Sequence, residues 1–217
     1  MALEKMRDWA TKTFDPMVAK LGFMNPNHIS WFSLAVAFTA AYLFATSSND
    51  SSGGWLLISG ALLTAFAAFC DAIDGQIARK HNKASDYGDY LDHTIDRIVD
   101  AGILVALGLN SSWVASPHLG YLAGLTTLLG SYMGTQAQSV GLGRNYGGFS
   151  RADRLVVVLL GAIVAGWQGI SGSKGIGEIP VFGGDFNGIS TVLLIAFIGG
   201  VYTFLVRFIS ARKQLLE

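Results

Sequence analysis

The sequence predicts an all-α, polytopic membrane protein with six transmembrane helices. Three observations carry this prediction: a composition poor in charge, six apolar segments of spanning length, and a one-sided distribution of basic residues. Only 14% of the 217 residues are charged and 51% are hydrophobic, whereas a soluble domain usually carries about 25% charged residues. The formal net charge is zero, so the chain lacks the basic footprint that a nucleic-acid partner requires.

Six apolar segments approach the length of about 20 residues that a bilayer-spanning helix needs. They cover residues 26–46, 55–79, 88–109, 118–140, 152–170 and 189–212. The connections 47–54 and 170–187 are rich in Gly, Ser and Asn, and we expect them to be loops. The chain is therefore expected to form one membrane-embedded domain over residues 1–217, with a six-helix core at 25–213.

Residues 1–24 differ from these segments and are expected to form an interfacial amphipathic helix. Apolar side chains such as Trp9 and Phe14 alternate there with basic ones such as Lys5 and Lys12. That composition is typical of a helix lying in the membrane surface. An ordinary polar tail is the alternative.

The basic residues predict the orientation in the membrane. If the N-terminus starts inside, six spans place every Lys and Arg except Lys174 on one side. The positive-inside rule assigns that side to the cytoplasm. Both termini and the acidic stretch 71–100 are then expected at the cytoplasmic face of a cell membrane.

The stretch 71–100 holds seven of the fifteen acidic residues of the chain. They are Asp71, Asp74, Asp86, Asp89, Asp92, Asp96 and Asp100. Apolar segments flank the stretch on both sides, and a carboxylate at membrane depth costs roughly 2.5 to 3.5 kcal/mol. A bound cation is an effective way to offset that cost.

The spacing of these acids predicts two acid-bearing helix faces. At about 100° per residue, Asp71 and Asp74 share a face with the small residues Gly75 and Ala78, and a second face carries Gly88, Asp92 and Asp96. A short polar turn at 80–85 allows the two helices to close as a hairpin. The hairpin offers oxygen ligands, which suit hard cations such as Mg²⁺ or Mn²⁺ better than zinc.

The same residues form a longer signature. The chain reads D-x-x-D-G-x-x-A-R over residues 71–79, then, after eight residues, G-x-x-x-D-x-x-x-D over 88–96. This resembles the signature of the CDP-alcohol phosphotransferase family at all eight positions. The resemblance implies a membrane-embedded six-helix core that transfers the phospho-alcohol group of a CDP-linked lipid to the hydroxyl of a small polar acceptor and releases CMP.

The resemblance also implies roles for individual residues. Asp71, Asp74 and Asp92 correspond to metal ligands for one or two Mg²⁺ or Mn²⁺ ions, and Asp96 corresponds to the general base and a further ligand. The remaining implied contacts are to the nucleotide and its pyrophosphate, and they involve Asp71, Gly75, Ala78, Arg79, Gly88 and, from the start of the first span, Asn27. Family precedent further implies a homodimer.

The acceptor-binding region is less well defined by the sequence. Arg144, Arg151 and Arg154 resemble the corresponding region of the phosphatidylinositol-phosphate and archaetidylinositol-phosphate synthase-like branch, where arginines would bind an acceptor phosphate. That branch usually carries basic residues where this chain has Gly134 and Gln136. Inositol phosphate, glycerol phosphate, serine and other small alcohols therefore stay open as acceptors.

Several polar residues near the signature are expected to have other roles. Asp86, Asp89 and Asp100 are interpreted as helix-start, solvated or supporting charges. His81 and His93 are expected to be hydrogen-bonded or exposed histidines that do not share the face of the aspartates.

Three other classes of membrane protein also use intramembrane acids. A prenyltransferase normally repeats an aspartate-rich motif, and nothing after Asp100 does so. A cation transporter is expected to distribute acids over several spans, whereas the predicted interiors of the last three spans carry none. An intramembrane aspartyl protease needs a G-x-G-D pattern, which the chain lacks. The transporter is the main alternative from another class.

Overall fold

A computed structural model describes residues 14–143, 147–173 and 175–216, and this part of the chain is all-helical. Its long helices are α1 (Pro26–Thr46), α2 (Ser51–Lys80), α3 (Asp86–Leu109), α4 (His118–Ser139), α5 (Arg151–Ser171) and α6 (Gly188–Leu216). The extended pairing found within the described ranges is a single antiparallel bridge between Ile176 and Phe186. The prediction of an all-α protein is confirmed.

Each predicted apolar segment corresponds to one helix, and the largest differences, of four residues, lie at the start of α2 and the end of α6. The loop expected at 47–54 is wrong in its second half, because α2 begins at Ser51. Asp50 caps this helix by accepting hydrogen bonds from the Gly53 backbone N–H at 2.8 Å and the Ser52 hydroxyl at 2.7 Å. These bonds, the one to Gly53 above all, lower the pKa of Asp50 to about 2.

Four of the six helices are long and apolar enough to cross a membrane, namely α1, α2, α5 and α6. In α3 the aspartates interrupt the apolar run. Large apolar side chains are exposed along the outer surface of α5, including Leu160, Ile163 and Trp167. A contiguous apolar exterior of this kind is unfavourable in water and suits contact with lipid.

The six helices close into a ring in the spatial order α1, α2, α5, α6, α4, α3. The largest apolar cluster of the described residues includes Phe44, Leu57, Leu107, Leu119 and Leu193, and two smaller clusters contain Ile73 and Ile95. Because every helix contacts at least two others, side chains from distant parts of the chain meet inside the ring.

Close helix contacts depend on glycine. A Cβ atom added to Gly108 of α3 would lie 2.5 Å from the Cα of Gly120 in α4, and one added to Gly54 of α2 would lie 2.4 Å from the carbonyl oxygen of Gly166 in α5. Real Cβ atoms do not approach backbone so closely, so these two crossings need glycine. Small residues at helix crossings are typical of membrane proteins, where close packing replaces the hydrophobic effect.

The N-terminal segment contacts the turn between α2 and α3. Residues 14–20 are helical, and Lys80 forms an ion pair with Asp15. The His81 ring bonds to the carbonyl oxygen of Val18 at 3.0 Å, and Lys83 donates to the carbonyl oxygen of Gly22 at 2.7 Å. The expectation that His81 is hydrogen-bonded is confirmed. The predicted interfacial helix lies mostly outside the described residues.

Candidate active site at the α2–α3 hairpin

The two halves of the signature lie on α2 and α3, which a short turn connects. Asp71 and Asp74 belong to the last part of α2, and Asp92 and Asp96 belong to the first half of α3. The turn ends at Ser85, whose hydroxyl accepts a hydrogen bond from the Gly88 N–H at 3.1 Å and caps α3. The polar turn was predicted correctly, but the expected closure of the two helices on each other is wrong, because both pack against α1, which lies between them in the ring.

Asp71 and Asp96 are brought together by a residue from a third helix. Arg151, the first residue of α5, donates from Nη1 to Asp71 Oδ2 at 2.8 Å, and its Nη2 lies 2.7 Å from Asp96 Oδ1. A single guanidinium therefore connects α2 and α3. The position of Arg151 is fixed by a capping box in which Ser150 and Asp153 bond reciprocally at the start of α5.

Asp100 lies next to this bridge. Its side chain is 11% exposed, forms an ion pair with Arg154, and lies 3.5 Å from Arg151 Nε. Asp100 is thus a partner of two arginines, which places it in a supporting role and excludes the solvated one. Arg154 also donates to the carbonyl oxygen of Phe149 at 3.2 Å.

Asp74 is buried, with 4% of its surface exposed, and is oriented by α1. Ser30 donates from its hydroxyl to Asp74 Oδ2 at 2.6 Å. The negative charges of Asp71 and Asp92 act on Asp74, so the three carboxylates share one electrostatic environment. Ser30 is a contact that sequence reasoning missed, since a serine inside an apolar span carries no distinctive pattern.

His93 lies closer to the aspartates than expected. One ligand atom each from Asp92, His93 and Asp96 lie within 4.8 Å of one another, and His93 Nε2 lies 3.7 Å from Asp89 Oδ1. The expectation that His93 is a hydrogen-bonded or exposed histidine stays a prediction. Residues three positions apart on a helix are neighbours, so His93 lies beside Asp96 although it is not a signature residue.

Three side chains in the first half of α3 lie close enough together to reach one ion. The ligand atoms of Asp92, His93 and Asp96 lie within 4.8 Å of one another. Asp96 Oδ1 is buried and lies 2.7 Å from Arg151 Nη2, so its charge is paired although the geometry is not that of a hydrogen bond. Asp71 and Asp74 lie outside this group, and Asp71 is joined to Asp96 through Arg151. Carboxylate oxygens are the ligands that Mg²⁺ and Mn²⁺ prefer.

The remaining signature residues lie around these carboxylates. A Cβ atom added to Gly75 would lie 3.2 Å from Arg79 Nη1, so Arg79 folds back along its own helix over Gly75. A Cβ atom added to Gly88 would lie 3.4 Å from Asn27 Oδ1. Asn27 of α1 is thus a neighbour of Gly88 in α3, and Ala78 is half-buried on the α2 arm.

The predicted acceptor arginines differ in position. Arg151 contacts the carboxylates directly and Arg154 is held by Asp100, while Arg144 lies outside the described residues. Sequence reasoning used Arg207 of α6 only for orientation, but it lies in this region. Arg207 donates from Nε to the Gly147 carbonyl oxygen at 3.0 Å and from Nη1 to the Gly130 carbonyl oxygen at 2.8 Å.

Arg207 also lies beside the position where the related branch usually has a basic residue. A Cβ atom added to Gly134 would be 3.0 Å from Arg207 Nη1. A positive charge is therefore present at this place, although it comes from another helix. The sequence carried one signal for Arg207, because an arginine within an apolar span usually has a functional role.

A cavity of about 370 Å³ opens beside the carboxylates. Asp71, Asp100 and Arg151 border its polar part, and apolar side chains such as Val99 and Leu155 line the rest. The cavity thus has a charged end and an apolar interior, the combination expected for an amphiphilic ligand.

An all-helical membrane fold with clustered carboxylates and an amphiphilic cavity defines a class of membrane-embedded enzymes acting on lipid-linked substrates. The sequence model of the CDP-alcohol phosphatidyltransferase family matches residues 23–209. The chain belongs to this family, and it is accordingly a transferase of phospholipid biosynthesis.

Two curated relatives resemble most of the chain. An archaetidylinositol phosphate synthase of Methanothermobacter thermautotrophicus is 29% identical, over 74% of this chain and 77% of the relative. A phosphatidylinositol phosphate synthase of Cutibacterium acnes is 31% identical, over 76% of this chain and 79% of the relative.

Solved structures share the fold. The phosphatidylinositol phosphate synthase of Mycobacterium tuberculosis with CDP-DAG bound superposes with a TM-score of 0.71 at 23% identity, covering 90% of this chain and 92% of that one. The same enzyme in complex with manganese and citrate gives a TM-score of 0.69 at 24% identity, covering 90% and 87%.

Proposed function

We propose that the chain transfers the phospho-alcohol group of a CDP-linked lipid to the hydroxyl of inositol phosphate, with release of CMP. The observation that carries this proposal is the bridge that Arg151 forms between Asp71 of α2 and Asp96 of α3, which links the two signature halves at the charged end of an amphiphilic cavity. The reaction belongs to the family, and the acceptor is the one that the names of the relatives indicate.

Asp71, Asp74, Asp92 and Asp96 would hold one or two Mg²⁺ or Mn²⁺ ions. The proximity of Asp92 to Asp96 and the bridge that Arg151 forms between Asp71 and Asp96 support this assignment, as does the manganese complex of the Mycobacterium tuberculosis enzyme. When bound, the ion neutralises charge on the phosphate oxygens and orients the leaving group.

The other roles in the transfer reaction are assigned to individual residues of the chain. Asp96 accepts the proton of the acceptor hydroxyl as its oxygen attacks the phosphorus that bears the lipid alcohol, and the bond from that phosphorus to CMP breaks. Arg79 provides a planar donor fork for phosphate oxygens. Gly75, Ala78 and Gly88 leave room for the nucleotide, and Asn27 offers its amide beside Gly88.

Positive charge near the site supports a phosphorylated acceptor. Arg154 and Arg207 lie at this end of the ring, and each acts electrostatically on the other. Arg207 beside Gly134 provides the charge that related enzymes place on the neighbouring helix. Glycerol phosphate would use the same arginines, whereas serine would not need them.

The proposed arrangement in the membrane is a single domain with six spans and an N-terminal interfacial helix. Besides the four apolar helices, α3 and α4 have 24 and 22 residues, enough at 1.5 Å per residue for a hydrocarbon core of about 30 Å. Exposed Trp55 and Trp167, at the start of α2 and near the end of α5, fall at one level and suit a membrane interface. The site and both termini then face the cytoplasm, and the family resemblance implies a homodimer.

The test of this function is CMP release by the purified chain in lipid nanodiscs. A CDP-linked lipid is supplied with inositol phosphate, inositol, glycerol phosphate or serine, each with Mg²⁺, Mn²⁺ or a chelator. We expect release with inositol phosphate and its loss on chelation. Release with glycerol phosphate alone would change the acceptor, and metal-driven cation flux without CMP from any acceptor would favour the transporter.

Filling the cavity should impair use of the lipid donor. Ala68 of α2 lines the cavity, so Ala68→Phe places a ring where we expect part of the donor. Turnover of the CDP-linked lipid should fall by about 10-fold to 100-fold, the effect of displacing a reacting group by roughly 1 Å, while Mn²⁺ binding is retained. Leu62→Phe, on the exposed face of the same helix, is the matched control and should keep normal turnover. Full activity of Ala68→Phe would contradict donor binding in this cavity.

A further inference from the structure

Arg151 holds the centre of the carboxylate cluster. Its Nη1 donates to Asp71 Oδ2 at 2.8 Å, its Nη2 lies 2.7 Å from Asp96 Oδ1, and its Nε lies 3.5 Å from Asp100 Oδ1. Nearby negative charges that would repel one another are thus balanced by one guanidinium.

Two of the three carboxylates that Arg151 contacts, Asp71 and Asp96, are also proposed ligands of the divalent ion. The geometry points to an exchange of counter-ions: Arg151 holds Asp71 and Asp96 together in the ion-free chain and leaves them when a divalent cation binds. This inference rests on the proposed metal site. Its physical reason is that a guanidinium and a divalent cation repel each other and compete for the same oxygen lone pairs.

Arg151 is well placed to move. Its side chain is 35% exposed, compared with 11% for Arg154, and it borders the cavity. Its backbone is fixed by the capping box of α5, so the movement is confined to the side chain. Once released, its planar fork would lie beside the cavity that we propose for the substrate, and a guanidinium fits phosphate oxygens geometrically.

The exchange couples metal binding to anion binding. The ion frees a guanidinium for phosphate, and a bound phosphate draws the guanidinium away from the ligands of the ion. By thermodynamic linkage, each ligand then increases the affinity for the other by the same factor. Arg151 is therefore a positioning residue in the ion-free chain and a phosphate contact in the loaded one.

The experiment measures Mn²⁺ binding to the full chain in nanodiscs, from the electron paramagnetic resonance signal of free Mn²⁺. Arg151→Gln removes the guanidinium that competes with Mn²⁺ and should increase the Mn²⁺ affinity about tenfold or more. In the wild type the ion must break a charge-assisted hydrogen bond to bind, and the energy of such a bond corresponds to at least a tenfold change in affinity. Arg151→Lys retains the charge with one donor group, and its Mn²⁺ affinity should fall between those of Arg151→Gln and the wild type. If Arg151→Gln does not fold, Arg151→Lys takes its place in the test.

Arg154→Gln is the matched control, because it removes a neighbouring guanidinium whose carboxylate partner is Asp100, not a proposed ligand. Its Mn²⁺ affinity should stay within about threefold of the wild type, as expected for a charge that acts only at longer range. A second readout is the gain in Mn²⁺ affinity that inorganic phosphate produces, which should disappear in Arg151→Gln.

The outcomes separate this inference from the proposed function. Unchanged or weaker Mn²⁺ binding by Arg151→Gln, with tight binding by the wild type, overturns the exchange and leaves the metal site intact. A wild-type chain that binds no Mn²⁺, or an Asp71→Asn variant that binds it as tightly as the wild type, overturns the metal site itself.

Discussion

Asp96→Asn is expected to lower the rate of CMP release by about 10³-fold or more, an effect within the range for loss of a general base. Asparagine preserves the size of the side chain but cannot accept the proton of the acceptor hydroxyl. It also replaces one of the carboxylate oxygens that we propose as ligands of the ion. The measurement is the initial rate of CMP release at saturating Mg²⁺, with the Mn²⁺ affinity of the same variant determined in parallel.

The control for this prediction is Asp86→Asn. Asp86 is an exposed acid in the first turn of the same helix and lies outside the signature, so its loss removes only a small favourable interaction with the helix dipole. Its turnover should remain within about twofold of the wild type. Wild-type turnover by Asp96→Asn would exclude Asp96 from both the proton transfer and the metal site.

Gly108→Ala is expected to have the largest effect on stability. The added methyl group would lie 2.5 Å from Gly120 Cα and 3.0 Å from Gly120 N, and both atoms belong to the backbone of α4. Neither can rotate away, so α3 and α4 must separate. Overpacking of this kind typically costs about 1–3 kcal/mol, and we expect at least the upper end of that range from unfolding measured in detergent micelles.

The comparison within the same helix is Gly102→Ala. A Cβ atom added to Gly102 has no heavy atom within 4 Å, so the methyl group is accommodated. Alanine has a higher helix propensity than glycine by about 1 kcal/mol, and the variant should be as stable as the wild type or slightly more stable. Equal unfolding of the two variants would show that the α3–α4 crossing does not need close backbone contact.

The helices and the two acid-bearing segments were predictable because their signals are local. Apolar runs of spanning length and the four-residue spacing of Gly88, Asp92 and Asp96 depend only on neighbours along the chain. The start of α2 was missed because Ser51 and Ser52 look like loop residues, whereas Asp50 caps the helix by accepting hydrogen bonds from the Ser52 hydroxyl and the Gly53 N–H. The closure of α2 on α3 was wrongly expected because a short turn does not show that α1 lies between the two helices.

The roles of Asp100 and Arg207 were not predictable in the same way. Asp100 lies one turn beyond the signature, and its two arginine partners belong to α5, more than fifty residues later in the chain. Arg207 reaches carbonyl oxygens of Gly130 and Gly147, which no local pattern indicates. Both contacts exist because the helices close into a ring.

The sequence by itself determined the membrane class of the protein, the six helices and the identity of the acids. Hydropathy and periodicity are properties of neighbouring residues, and a charge at membrane depth has a free-energy cost wherever it occurs. Only the tertiary structure showed that Arg151 is the cationic side chain that pairs with those acids, because Arg151 lies eighty residues from Asp71 along the chain. Electrostatic attraction depends on distance in space, and the ring of helices sets that distance.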